Sequence, residues 1–196
     1  MKCLVVWAHP LENSLCGLLT SQVADKLATM GHEVTVEDLY AEKFEPALTP
    51  IERETYYSAS YDSSDISGQV DRLREADALV LLFPTWWFGF PAILKGWFDR
   101  VWGPGIAYDH ADDFGPIQPR LDNLRKCLVV TTLGSPWWVD RLIMRQPLKR
   151  VIRFALLGAC ARKCSLKYFS LYKSEKLAAL DINRFMIKIE KELNKW

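Results

Sequence analysis

The chain has 196 residues, with 25 Lys and Arg against 24 Asp and Glu, a formal net charge of +1. That length suits one domain with a sizeable core, and the balanced charge supplies no global field for nucleic acid or a membrane surface. No apolar run approaches bilayer-spanning length, and the stretch after Met1-Lys2 is too short and wrongly flanked for a signal peptide, so a cytoplasmic protein without stable membrane insertion is expected. The five cysteines (Cys3, Cys16, Cys127, Cys160, Cys164) are odd in number and scattered through apolar surroundings. They read as reduced core residues and not as a disulfide framework. Cys160 and Cys164 have no second pair and no nearby histidine, so no metal site is expected.

In chain order, Lys2 to Ala8 reads as a buried strand. A helix follows from Ser14 as N-cap, with Leu15, Leu19, Val23, Leu27 and Met30 on one face, and Gly31 ends it. Glu33 to Glu37 alternates and predicts a half-exposed strand; residues 41 to 68 are polar and irregular; Val70 to Glu75 predicts a short helix. Ala78 to Phe83 and Cys127 to Thr132 are continuous apolar strands, and a helix begins at Pro91. The basic run Arg141 to Arg153 falls on one amphipathic helix with Leu142, Ile143, Leu148, Val151 and Ile152, and one of its arginines can serve a dinucleotide phosphate. Cys164 to Phe169 alternates again, and Ser174 to Trp196 forms a terminal helix with Leu177, Leu180, Phe185, Ile189 and Leu193 inward.

Alternating strands and helices argue for βαβ units and a three-layer, doubly wound α/β domain over residues 1 to 196. Solid apolar runs belong at the centre of such a sheet and alternating ones at its edges, which predicts five parallel strands in order 2-1-3-4-5. The switch point then falls between strands one and three, where ligands bind at the carboxyl ends. No Gly-x-Gly-x-x-Gly follows the first strand, which disfavours a dinucleotide-type Rossmann site.

Three loops converge there. The first, His9 to Cys16, ends at a helix N-terminus whose free N–H groups suit a phosphate. Ser14 can equally be a simple cap, and His9 a packed core histidine. The second, Pro84-Thr85-Trp86-Trp87-Phe88, is poor solvent-facing material; a flat heteroaromatic ligand explains it, while core plugging or a subunit interface are the alternatives. The third runs Thr131-Thr132-Leu133-Gly134-Ser135-Pro136-Trp137-Trp138.

Phe83 to Trp97, reading Phe-Pro-Thr-Trp-Trp-Phe-Gly-Phe-Pro-Ala-Ile-Leu-Lys-Gly-Trp, followed by Gly105-Ile106-Ala107-Tyr108, resembles the flavin loop of the quinone-reductase, modulator-of-drug-activity and potassium-efflux ancillary oxidoreductase branch of flavodoxin-like proteins. The resemblance implies a flavodoxin-like fold and a flavin held by His9, Ser14, Leu15, Cys16, Pro84, Thr85, Trp86, Trp87, Phe88, Thr132, Leu133 and Gly134. FAD is the expected cofactor, with FMN as the alternative and NAD(P)H as co-substrate. A quinone or similar small molecule would accept the electrons. Tyr108-Asp109-His110 matches the family's substrate-side Tyr-x-Tyr, so Tyr108 and His110 are the candidate catalytic groups. A surface turn, with His110 solvated among Asp109, Asp112 and Asp113, is the other reading of these residues.

The chain departs from the family at several points. Cys16 stands where some members have Asn, Leu133 replaces a glycine, and Trp137, Trp138 and Val139 occupy the proton-relay Tyr and His positions. These departures keep a second reading open, a non-catalytic flavin-binding regulatory subunit, for example of an ion-transport system. An electron-transfer flavodoxin fits less well, because those proteins are strongly acidic. The resemblance and the indoles Trp97, Trp102, Trp137 and Trp138 together predict a homodimer with shared active sites.

Overall fold

The computed structural model describes residues 1–58, 60–111 and 115–196. Its main sheet is built from β1 (Lys2–Trp7), β2 (Glu33–Asp38), β3 (Ala78–Pro84), β6 (Lys126–Leu133) and β7 (Ser165–Tyr172), while β4 (Tyr108–Asp109) and β5 (Gln118–Pro119) form a separate antiparallel pair. The order is β2-β1-β3-β6-β7, parallel throughout, which is 2-1-3-4-5 when the five sheet strands are counted in sequence. The register aligns Leu4 with Thr35 and Leu79, Leu79 with Cys127, and Val130 with Phe169.

Side chains alternate across the strands, so the two faces carry separate cores. Cys3, Val5, Trp7, Val80, Leu82, Leu128 and Val130 pack under α1 (Leu15–Thr29) and α7 (Ala179–Leu193). Leu4, Val6, Leu79, Leu81 and Val129 pack under α3 (Ser67–Glu75) and α4 (Ala92–Val101), with Leu148, Ile152 and Leu157 completing that layer. This is the three-layer arrangement that the strand patterns predict. β3 and β6 are buried at almost every position because both faces are covered.

Several local expectations need correction. In β2 it is Glu37 that is fully buried, while Val36 is 45% exposed. Glu37 is tolerated because Arg72 Nε donates to it at 2.8 Å and Trp97 Nε1 at 2.7 Å, although burial still pushes its carboxyl above the ordinary value. The irregular 41 to 68 stretch contains α2 (Pro50–Thr55), held by a capping box in which Thr49 Oγ1 accepts from Glu52 N–H and Glu52 accepts from Thr49 N–H.

The single helix expected over Arg141 to Arg153 is broken. A π-helical turn (Val139–Ile143) stops at Arg145 and Gln146, both at positive φ, and Pro147 then opens α5 (Pro147–Arg150). A second π-helical stretch (Val151–Leu157) and the single turn α6 (Gly158–Cys160) follow. Leu142 and Ile143 consequently face solvent. At the terminus a short 3₁₀ turn (Ser174–Lys176) precedes α7; Leu180 is exposed, and Met186 joins Phe185, Ile189 and Leu193 in the buried face. Trp97 and Trp102 are buried in their own subunit's core, so they lend no support to an interface.

Candidate active site

The loops after β1, β3 and β6 do meet at the carboxyl edge of the sheet. A pocket of about 250 Å³ is lined by His9, Leu15, Cys16, Pro84, Thr85, Trp86, Thr132 and Gly134, eight of the twelve residues expected to hold the cofactor. It lies where the strand order reverses between β1 and β3, the position at which open α/β sheets bind ligands. Ser174 and Glu175, in the loop after β7, complete its wall. Sequence reasoning missed them because it followed three strand ends and stopped before the fifth strand's own carboxyl end.

Each wall has a local cause. Ser14 is N-cap of α1, its Oγ accepting from Gly17 N–H at 3.1 Å, which leaves Leu15 and Cys16 at the head of the helix with N–H groups that have no intrahelical acceptor. Ser14 itself supports the pocket and does not line it. His9 Nδ1 lies 3.0 Å from Leu11 N and 3.1 Å from Leu11 O, which turns the imidazole back onto its own loop. The Cys16 thiol is buried, and burial pushes its pKa up to about 11 against the partial relief of Thr132 Oγ1, 3.5 Å away. It is therefore a protonated wall group and not a nucleophile at neutral pH.

The loop after β3 is tightly specified. Thr85 N–H donates to Thr132 O at 2.8 Å, adding a rung beyond the strand, and the hydroxyls of Thr85 and Thr131 meet at 2.6 Å. Trp86 and Gly89 then exchange two backbone hydrogen bonds, Gly89 N–H to Trp86 O at 2.9 Å and Trp86 N–H to Gly89 O at 3.3 Å. The two residues between them, Trp87 and Phe88, have φ of +51° and +59°. Positive φ at both central positions is the demand of a type I′ turn, normally met by Asn or Gly. Two bulky aromatics in that region store strain, which structures retain mainly at ligand sites and switches.

The turn splits its aromatics. Phe90 is inserted between Phe83 and Phe98, with ring centroids 5.6 and 5.1 Å away, and anchors the loop in the core. Trp86 faces the pocket, Phe88 is half-buried outside the pocket wall, and Trp87 is 99% exposed. Leu133 is buried and does not line the pocket, whereas Gly134 does. A Cβ on Gly134 would stand 3.4 Å from Glu175 Oε1.

Tyr108, Asp109 and His110 belong to a different region. Tyr108 OH meets Tyr56 OH at 2.9 Å, and burial together with that bond raises its pKa. His110 lies against Tyr57 (centroids 4.8 Å) and edge-on to Tyr108 (5.3 Å), and Asp109 accepts from Arg120 Nη1 at 2.8 Å. Asp109 and His110 line a cleft of about 710 Å³ with Tyr57, Arg74 and Arg120, and this cleft shares no residue with the first pocket. Asp112 and Asp113, weighed with Asp109 as a solvated acidic trio, lie outside the described residues. Tyr56 and Tyr57 were not legible as partners because they stand in the stretch that reads as irregular.

The chain matches the family model described as flavodoxin-like fold over residues 1–196. It is 37% identical over 152 residues to NAD(P)H dehydrogenase [quinone] 1 of Cavia porcellus, a match covering 68% of this chain and 54% of that protein. The chain spans between half and two thirds of the length of the first curated relatives it matches. Among solved structures, Smu.1420 from Streptococcus mutans aligns with a TM-score of 0.85 at 28% identity over 100% of both chains. NAD(P)H:quinone oxidoreductase from Methanothermobacter marburgensis aligns with a TM-score of 0.83 at 25% identity, covering 97% of this chain and 93% of that one. Sheet order, switch-point pocket and the family match lead to one assignment: the chain belongs to the flavodoxin-like family.

Proposed function

We propose that the protein is a flavin-dependent NAD(P)H oxidoreductase that transfers two electrons to a quinone or a similar small acceptor in the cytoplasm. The observation that carries this reading is the switch-point pocket walled by Trp86 from a turn strained at Trp87 and Phe88. The names of relatives aligned over 68% and 97% of the chain support the same activity.

The residues present fit a flavin. The head of α1, at Leu15 and Cys16, offers N–H groups and a positive helix end to a phosphate, and the His9 imidazole borders the same pocket. Pro84, Thr85, Trp86, Thr132 and Gly134, from the adjacent ends of β3 and β6, would hold the flavin's ring system. When bound, the flavin supplies the hydride and electron chemistry, and the protein supplies binding and orientation. The chain's own groups bind and exclude water: Cys16 stays protonated, and Thr85 is fixed by Thr131 and Thr132. The cofactor is FAD in this reading, with FMN as the alternative.

The separation of the two clefts favours a homodimer in which Tyr108, Asp109 and His110 face the neighbouring subunit's pocket. Exposed Trp87, Trp137 and Trp138 provide apolar surface for such an interface. In that arrangement Tyr108 and His110 hold the acceptor or move its proton.

The regulatory reading retains one observation in its favour: Trp137, Trp138 and Val139 stand where the branch places its proton relay. Anaerobic mixing of purified protein with NADH or NADPH separates the two. Rapid bleaching of bound flavin followed by quinone-dependent reoxidation supports the enzyme, and slow or absent bleaching supports the regulator.

A further inference from the structure

The near-neutral net charge conceals a strong segregation. Nine of the 25 Lys and Arg, and none of the 24 Asp and Glu, lie between Arg141 and Lys173, leaving 16 basic against 24 acidic residues elsewhere. This basic segment, about a sixth of the chain, includes β7, which among the described residues pairs with β6 alone and ends the sheet. One backbone edge of β7 therefore carries N–H and C=O groups outside any ladder.

A groove of about 710 Å³ follows that edge. Consecutive residues from Ser165 to Phe169 line it, so side chains from both faces of the strand border it and the open backbone runs between them. The π-helical stretch Val151–Leu157 bounds the groove on one face, and α7 bounds it on the other through Glu192. Lys149, Arg153, Arg162 and Lys167 face it. Its one acid, Glu192, is already held by Lys167 at 3.2 Å and Lys195 at 2.9 Å. Phe154 stands 64% exposed at the rim, with the Arg153 guanidinium over its ring.

We propose that this edge docks an extended acidic segment of another protein, which adds to β7 as a further strand. The free ladder groups require a partner that offers its own backbone, the cations require acidic side chains, and Phe154 accepts an apolar one. A second copy of the chain presenting the same edge would set arginines and lysines against each other. A lipid surface would leave the edge N–H and C=O groups without partners. The proposal is independent of the flavin reading, since no residue of the groove lines the switch-point pocket.

The test uses the full-length protein and a fluorescein-labelled peptide of about ten residues alternating Glu and Val. Two controls accompany it: the same peptide with Lys for Glu, and the Glu peptide with alternate backbone nitrogens methylated. Anisotropy titration should give saturable micromolar binding of the Glu peptide that weakens as salt rises. The Lys peptide, the methylated peptide and the protein variant Arg153→Glu with Phe154→Ala should each bind at least about tenfold more weakly. Both substituted residues are exposed, so circular dichroism and flavin content should match the parent. Absence of saturable binding would overturn the proposal and leave the basic residues as a guard against edge aggregation. Equal binding of the Lys peptide would overturn the acidic partner, and equal binding of the methylated one would overturn strand addition.

Discussion

Cys16 and Thr132 are 116 residues apart in the chain, yet Cys16 Sγ lies 3.5 Å from Thr132 Oγ1 and closes the floor of the pocket. The pair ties the head of α1 to the end of β6, the two loops that flank β3 at the switch point. Burial of the thiol, with a pKa of about 11 against an ordinary 9.0, makes folding pH-dependent. A thiol whose folded pKa is raised binds its proton more tightly when folded, so its contribution is intact below pH 9 and is lost as the pH climbs toward 11.

Urea unfolding of the parent and of Cys16→Ala at several pH values checks this. The Ala variant should be weaker at pH 8 because of the cavity, but its stability should fall less steeply between pH 9 and 11. The difference in pH dependence should amount to about 2 to 3 kcal/mol over that interval. Parallel slopes would remove the thiol from the account.

Strain at Trp87 and Phe88 makes an opposite pair of predictions for stability and binding. Asn tolerates positive φ, so Trp87→Asn should stabilise the flavin-free protein by about 1 kcal/mol in urea titration. The side chain it removes is 99% exposed and contributes no core packing. If Trp87 and Phe88 serve the flavin site, Trp87→Asn with Phe88→Asn should also lower flavin occupancy after purification, with far-UV circular dichroism unchanged. Full occupancy would return both residues to a purely structural role.

Arg100 and Glu52 form a buried ion pair, 3% and 2% exposed, with Nε to Oε1 at 2.8 Å and Nη2 to Oε1 at 2.8 Å. The same guanidinium donates to Glu45 O, and Glu52 completes the cap of α2, whose far end carries Tyr56 onto Tyr108. Arg100→Ala should cost about 3 to 5 kcal/mol, because it strands a buried carboxylate. Arg100→Met with Glu52→Leu should recover most of that loss in chemical denaturation, leaving about 1 kcal/mol for the missing cap.

Gly96 sits inside α4, where an alanine would ordinarily help a helix by about 1 kcal/mol. Here a Cβ would overlap the carbonyl oxygen, Cα and Cβ of Pro46. Gly96→Ala should therefore destabilise the protein by about 2 kcal/mol or more, read as a drop in the urea midpoint. A neutral or stabilising result would mean that the Pro46 loop shifts freely.

The sheet was legible because its signals are physical consequences of burial. Ala78 to Phe83 and Cys127 to Thr132 read as solid apolar runs since helices cover both their faces, and the alternating segments marked the edges. The pocket's place followed from the strand ends, since His9, Trp86 and Thr132 fall at or just beyond a carboxyl terminus and Cys16 heads the helix that follows the first. What escaped depends on contacts distant in sequence. Glu37 looks like a solvent-facing acid until Arg72 and Trp97 reach it. Trp97 and Trp102 look like surface indoles until the helices close over them. The capping box at Thr49 and Glu52 lay unread in a stretch that looks irregular, although its Thr-x-x-Glu spacing is a signal, and the break at Arg145 and Gln146 was missed although Pro147 marks it.

In the reading proposed above, this pocket binds a flavin which NAD(P)H reduces. The most direct test is the visible absorption spectrum of the purified protein, recorded anaerobically before and after addition of NADPH or NADH, with the released cofactor identified by mass. The expected result is a bound flavin near one per chain, FAD by mass, whose bands bleach on addition of the nicotinamide and return when a quinone is added. A protein that neither carries nor takes up FAD or FMN, or whose bound flavin stays oxidised with both nicotinamides, would contradict it.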